Sequence, residues 1–138
     1  MDDVPEEFFA PPYYETLGIE ITDVDDGTAE GRLPVDESVS AAPGEPVAHG
    51  GAIASLADSV GYWAASSAND FAVTPTVDLR VDYLAPATAD LRAAGTAIRN
   101  GRSVGTVDVE VEADGDVVAT ARGVFKTGGG SGGESAWD

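Results

Sequence analysis

The 138-residue chain has no cysteine, one histidine, one methionine and a single lysine, Lys126. Without thiols it can form no disulfide framework, no cysteine nucleophile and no cysteine-based metal site. A lone His with no clustered acidic ligands is a poor metal signature, so no metal is expected. Basic residues are scarce as a class, seven against 25 Asp and Glu, for a formal net charge of −18. Nucleic acid is therefore not an expected partner, because binding it needs a basic surface that displaces counterions. No apolar run approaches membrane-spanning length, and the opening Met-Asp-Asp-Val-Pro-Glu-Glu has neither the basic lead nor the apolar run of a secretory signal. A soluble cytoplasmic protein with no membrane contact is the expectation.

So acidic a chain is either disordered or folded against its own repulsion. Its 43% apolar content and clear periodicity favour a fold. Several molar salt shrinks the Debye length to about 3 Å or less and screens that repulsion, so the composition reads as halophilic. The length suits one core and not two. The expected organisation is a single domain over 1–127, with an N-terminal lead at 1–17 and a flexible Gly/Ser-rich tail at 128–138 that carries Trp137.

Periodicity supplies the elements. Glu6 to Glu15 is a short, partly helical lead whose aromatics Phe8, Phe9, Tyr13 and Tyr14 should pack on the domain. Ile19 to Val24 and Ala29 to Val35 read as strands joined by a tight turn at Asp26-Gly27. Ser38 to Val47, with Pro43, Gly44 and Pro46, is a loop. From Gly50 to about Ser67, Ile53, Leu56, Ala57, Val60 and Ala64 follow a 3.6-residue period, and Ala54, Asp58, Gly61 and Ala65 make an adjacent small-residue face open to another backbone or a ligand. Strict alternation then marks strands at Val77 to Tyr83 and around Val107 to Val111. Further strands span Leu91 to Ile98 and Val117 to Phe125, with turns at Asn100-Gly101 and Asp114-Gly115. The order is β-β-α-β-β-β-β.

The segment richest in chemistry is His49-Gly50-Gly51, which opens the helix two turns before Asp58. The first N–H groups of a helix lack intrahelical partners, and glycine keeps no side chain between them and a ligand. A carbonyl oxygen that becomes negative during acyl transfer is a natural occupant. Each residue also has a plainer task open to it: His49 as a cap on the helix start, the glycines as tight packing, and Asp58 as a solvated carboxylate. Thr76 is a good strand former as well as a hydroxyl donor. Eight residues separate Gly50 from Asp58, about 12 Å along a helix axis, too far for both to act on one carbonyl. Two antiparallel copies of the helix in a two-fold dimer would bring Asp58 of one chain to Gly50 of the other.

His49-Gly50-Gly51-x6-Asp58, followed by Thr76-Val-Asp-Leu-Arg-Val-Asp-Tyr-Leu-Ala-Pro86, resembles the hotdog-fold acyl-CoA thioesterases of the phenylacetate-degradation type. The similarity runs from roughly Tyr13 to Lys126. It implies an α+β hotdog fold, a long antiparallel sheet wrapped around a central helix. It also implies hydrolysis of acyl-CoA thioesters, with an aromatic or medium-length acyl group as substrate. In that reading the Gly50 N–H is the oxyanion donor, Asp58 is the general base or nucleophile, and Thr76 helps position water, with His49 and Gly51 beside the substrate. Coenzyme A enters as part of the substrate and no other cofactor is implied. Its nucleotide would lie near the turn carrying Arg99, Asn100, Arg102 and Ser103, residues that could equally relieve local negative charge. The family implies a homodimer, with dimers pairing further into a dimer of dimers. Pro43 stands where the family often carries an Asn that contributes to the site. A non-catalytic hotdog module that binds acyl thioesters is the alternative.

Overall fold

Two elements precede the first strand. A short 3-10 turn, Glu6–Phe9, leads into helix α1, Pro12–Leu17. The computed structural model describes residues 4–128. The expected Gly/Ser tail and Trp137 therefore fall almost wholly outside the described residues. Strands β1 (Glu20–Asp25) and β2 (Thr28–Leu33) form the first hairpin. After a loop comes helix α2, Gly50–Ser67. Four strands follow: β3 (Thr76–Tyr83), β4 (Leu91–Asn100), β5 (Val104–Ala113) and β6 (Asp116–Lys126).

All six strands join one antiparallel sheet in the order β1-β2-β4-β5-β6-β3. This is the expected hotdog arrangement: the sheet curls around α2, whose Leu56, Ala57, Val60 and Ala64 are fully buried against Leu33, Leu91, Val107, Val111 and Phe125. Burial of that continuous apolar surface is the main stabilising term. The helix can sit close because Gly31 and Gly95 face it. A Cβ at Gly31 would lie 2.9 Å from a methyl of Val60, and one at Gly95 would lie 3.1 Å from the other.

The Asp-Gly turns form as expected. Asp26 and Gly27 have φ of 30° and 96°, Asp114 and Gly115 of 54° and 84°, the positive pair that a two-residue hairpin needs. Asn100-Gly101 differs. β4 continues through Asn100, and Gly101–Ser103 make a longer connection closed by the Gly101 N–H donating to the Val104 carbonyl at 2.9 Å. Gly61 also differs from its reading as part of an open small-residue face. The Phe125 ring fills the space beside it, 3.0 Å from where a Cβ would stand.

The aromatic lead docks on α2. Phe9 is buried and stacks on Trp63 at a centroid distance of 4.2 Å, and the Trp63 indole N–H donates to the Tyr14 hydroxyl at 3.2 Å. Burial holds the Tyr14 phenol above its ordinary pKa. Phe8 and Tyr13 remain exposed.

Candidate active site

The start of α2 is fixed from three directions. Ala48 N–H donates to the Ala87 carbonyl and His49 N–H to the Val39 carbonyl, both at 2.8 Å, which seats the loop end against its neighbours. His49 is the N-cap, and its ring Nδ1 accepts the Gly51 N–H at 2.8 Å. The capping task open to His49 is thus the one its Nδ1 performs. This cap distinguishes the two glycines. Gly51 spends its N–H on His49, whereas the Gly50 N–H is paired with no acceptor among the described residues. On the other side, the Tyr83 hydroxyl of β3 donates to the Gly50 carbonyl at 2.7 Å. A Cβ at Gly50 would stand 3.3 Å from the Tyr83 ring, so glycine is the residue that fits this entry without displacing it.

Asp58 lies in the middle of α2, half-buried. Its Oδ1 accepts the Thr76 hydroxyl at 2.7 Å. Burial raises the carboxyl above the ordinary range, and the Thr76 hydrogen bond opposes that rise by stabilising the charged form. Thr76 reaches Asp58 because of a bulge. Thr76 pairs with Phe125 and Asp78 with Val124, which leaves Val77 as the extra residue. Phe125 points at Gly61 of α2, so its partner Thr76 faces the helix too, on the same side as Leu79, Val81 and Tyr83. Without the bulge, alternation would turn Thr76 outward with Asp78, Arg80 and Asp82.

Within one chain, Gly50 and Asp58 share a continuous helix and stay about 12 Å apart along its axis. The β4–β5 turn is farther still. Asn100 Nδ2 donates to the Ala68 carbonyl at 3.1 Å, and its Oδ1 accepts from Asn69 Nδ2 at 2.9 Å, so this turn is tied to the C-terminal end of α2. Arg99, Arg102 and Ser103 therefore lie at the opposite end of an 18-residue helix from their own Gly50. Asn100 has a structural task there, joining sheet to helix. Lys126 comes to the same turn, its Nζ within 3.5 Å of the Ser103 carbonyl.

Two contributors escaped the sequence reading. Tyr83 was legible as an alternating strand residue and as part of the motif that carries the resemblance, but its hydroxyl contact with Gly50 depends on how β3 crosses the helix start. Tyr13 was one aromatic among four in the lead, and its hydroxyl lies 2.7 Å from Ser55 Oγ, one helical turn before Asp58. Among the described residues there is no group of three or more His, Asp or Glu side chains placed to hold a metal ion, and no helix long and apolar enough to cross a membrane.

The model of the thioesterase superfamily matches residues 45–120, which hold α2 and most of the sheet. A protein of Halobacterium salinarum named "Putative esterase" is 36% identical over 121 residues, 80% of each chain. A conserved protein of Pseudomonas aeruginosa superposes with a TM-score of 0.82 at 30% identity, over 88% of this chain and 97% of that one. The PaaI protein of the E. coli phenylacetic acid degradation operon superposes with a TM-score of 0.79 at 26% identity, over 91% and 90%.

Proposed function

This chain belongs to the thioesterase superfamily, and from that premise we propose that it hydrolyses acyl-CoA thioesters with an aromatic or medium-length acyl group, in the manner of the phenylacetate-degradation type. The observation that carries the reading is the state of Asp58. It is a carboxylate drawn out of water on a helix face and oriented by one hydroxyl, Thr76. A general base is most effective when its pKa is lifted towards the working pH, and partial burial does this.

In this mechanism the thioester carbonyl approaches the N-terminus of α2 and its oxygen takes the Gly50 N–H, the glycine amide that His49 leaves open. Asp58 draws a proton from water, which attacks the carbonyl carbon; the tetrahedral intermediate collapses and expels the coenzyme A thiolate. Thr76 holds the carboxylate so that one oxygen faces the reacting water. Direct attack by Asp58 is the other form of the step, giving an anhydride that water then opens.

The 12 Å separation makes a homodimer part of the chemistry, with Gly50 of one subunit and Asp58 of its partner acting on one carbonyl. β3 supports such an assembly, since it is a sheet edge carrying exposed apolar side chains: Val77 is 51% exposed, Tyr83 53% and nearby Leu84 59%. An unpaired strand edge with apolar side chains is a template for another copy. Dimers pair further into a dimer of dimers. The nucleotide end of coenzyme A lies at the β4–β5 turn, where Arg99 and Arg102 supply cations in a chain with few. The protein works in the cytoplasm of a halophile, which suits its charge, and uses no cofactor apart from the coenzyme A of its substrate.

The test is turnover of an acyl-CoA panel in molar KCl by wild type and Asp58→Asn. Hydrolysis lost in the variant supports the reading. Tight acyl-CoA binding without turnover by wild type would make the protein a binding module instead, the outcome to which Pro43 in place of the family's Asn would then be relevant.

A further inference from the structure

The surroundings of Asp58 differ from flank to flank. Toward β3, the carboxylate meets the Thr76 hydroxyl, and farther along that strand Tyr83 is tied to Gly50. Toward the sheet, Leu56 and Val60 are fully buried and leave no room. The remaining flank belongs to the N-terminal lead. Ser55 stands three residues before Asp58, hence beside it on the helix surface, and binds the Tyr13 hydroxyl at 2.7 Å. Tyr14 lies next to it, buried, close enough to the carboxylate for the Asp58 charge to contribute to its raised pKa.

The lead is anchored in a way that leaves one ring free. Phe9 on Trp63 and the Trp63–Tyr14 hydrogen bond hold its backbone down. Tyr13 keeps 55% of its surface exposed while its hydroxyl is tethered. An exposed aromatic pinned at both ends loses little freedom when a ligand covers it. It stands within a helical turn of the proposed base.

We infer that Tyr13, positioned by Ser55, is the wall that sets acyl-group selectivity at the Asp58 site. This rests on the thioesterase reading. An acyl group joined to a carbonyl carbon beside Asp58 needs apolar surface to lie against. The groups of β3 that reach this helix are the Thr76 and Tyr83 hydroxyls, and the exposed apolar Val77 and Leu84 belong to the edge proposed to meet the partner. The sheet flank is filled, so the acyl group lies against the Tyr13 ring, with the half-buried Tyr62 one turn beyond Asp58. A flat aryl group gains ring-on-ring contact there beyond the area it buries, and a straight chain gains only the area.

The test compares wild type, Tyr13→Ala, Tyr13→Phe and Ser55→Ala on phenylacetyl-CoA and hexanoyl-CoA. Affinities are measured in parallel for the two thioether analogues that lack the carbonyl and cannot be hydrolysed. In Tyr13→Ala the aryl-over-straight-chain ratio of kcat/KM falls about tenfold, mostly through KM, and the ratio of thioether affinities falls with it. Tyr13→Phe and Ser55→Ala keep the ring but release it, and the ratio falls less, in the same direction. A Tyr13→Ala ratio within about twofold of wild type, with turnover intact, overturns the wall and leaves the thioesterase reading standing. Wild type that binds both thioethers but turns over neither substrate overturns hydrolysis, and the wall is then upheld or overturned by the affinity ratio alone. Wild type that neither binds nor turns over overturns both.

Discussion

The Thr76 hydroxyl donates to Asp58 Oδ1 at 2.7 Å, joining the edge strand to the helix 18 residues earlier in the chain. It is the only oriented polar contact found for that carboxylate among the described residues, and it opposes the effect of burial on its pKa. Removing it should therefore show in the pH profile more than in the fold. In Thr76→Val, the carboxyl loses the partner that favours its charged form, so its pKa rises further. The acid limb of kcat/KM moves to higher pH, and activity near neutrality falls by about tenfold, measured across a pH series. An acid limb that stays in place would remove Thr76 from the site.

Asp58→Asn should separate activity from stability. The amide keeps the shape but is neither base nor nucleophile, so kcat falls by orders of magnitude. Stability moves the other way. Because the folded-state pKa of Asp58 is raised, the native state holds its proton longer than the unfolded chain, and ionised Asp58 destabilises the fold as pH rises through the window above the ordinary carboxylate range. The Asn variant should melt higher than wild type at neutral pH, with the gap closing below the ordinary carboxylate pKa. Calorimetry at two pH values would check both halves, and an Asn variant that melts lower throughout would contradict the burial argument.

Gly50→Val places a branched side chain where a bare Cβ would already stand 3.3 Å from the Tyr83 ring, and it blocks a carbonyl's approach to the Gly50 N–H. The variant should be inactive. Refolded together with Asp58→Asn, it should regain about a quarter of wild-type activity, because half of randomly paired dimers are mixed and each has one site free of both changes. No recovery would mean that each site draws both residues from one chain.

His49→Ala removes the ring nitrogen that accepts the Gly51 N–H at 2.8 Å. Loss of an N-cap costs about 1 kcal/mol, read as a lower midpoint in chemical denaturation. The same change frees a second glycine amide beside Gly50, so kcat should fall far less than in Asp58→Asn. A loss of activity as deep as that of the Asp58 variant would give His49 a direct part in the reaction.

Salt should stabilise this protein. Three ion pairs form among the described residues, Glu20–Arg32, Arg80–Asp82 and Asp108–Arg122, all between largely exposed side chains. Few carboxylates among the described residues are thus paired, and the chain as a whole carries a formal net charge of −18. Raising KCl from about 0.1 M to several molar screens the repulsion within that charge, and Tm should climb across the range. A flat Tm would refute the halophilic reading.

Much of the fold was legible because its periods are strong. The α2 boundaries follow from the 3.6-residue pattern and from His49-Gly50-Gly51 at its start, and the Asp-Gly turns from the positive φ angles those residues adopt with ease. The candidate carboxylate and the glycine amides could likewise be picked out, since helix termini and lone carboxylates on small-residue faces are local features. What the tertiary structure decided is how these groups meet others. The bulge at Val77 turns Thr76 inward although alternation points it outward, because register with β6 is a property of two strands and not of one. Asn100 bonds the end of α2, Tyr83 the start of it, and Tyr13 the turn before Asp58, each across more than 30 residues of chain. Contacts at such separation depend on how the sheet curls around the helix, and a pattern of periods along the chain carries no record of that curvature.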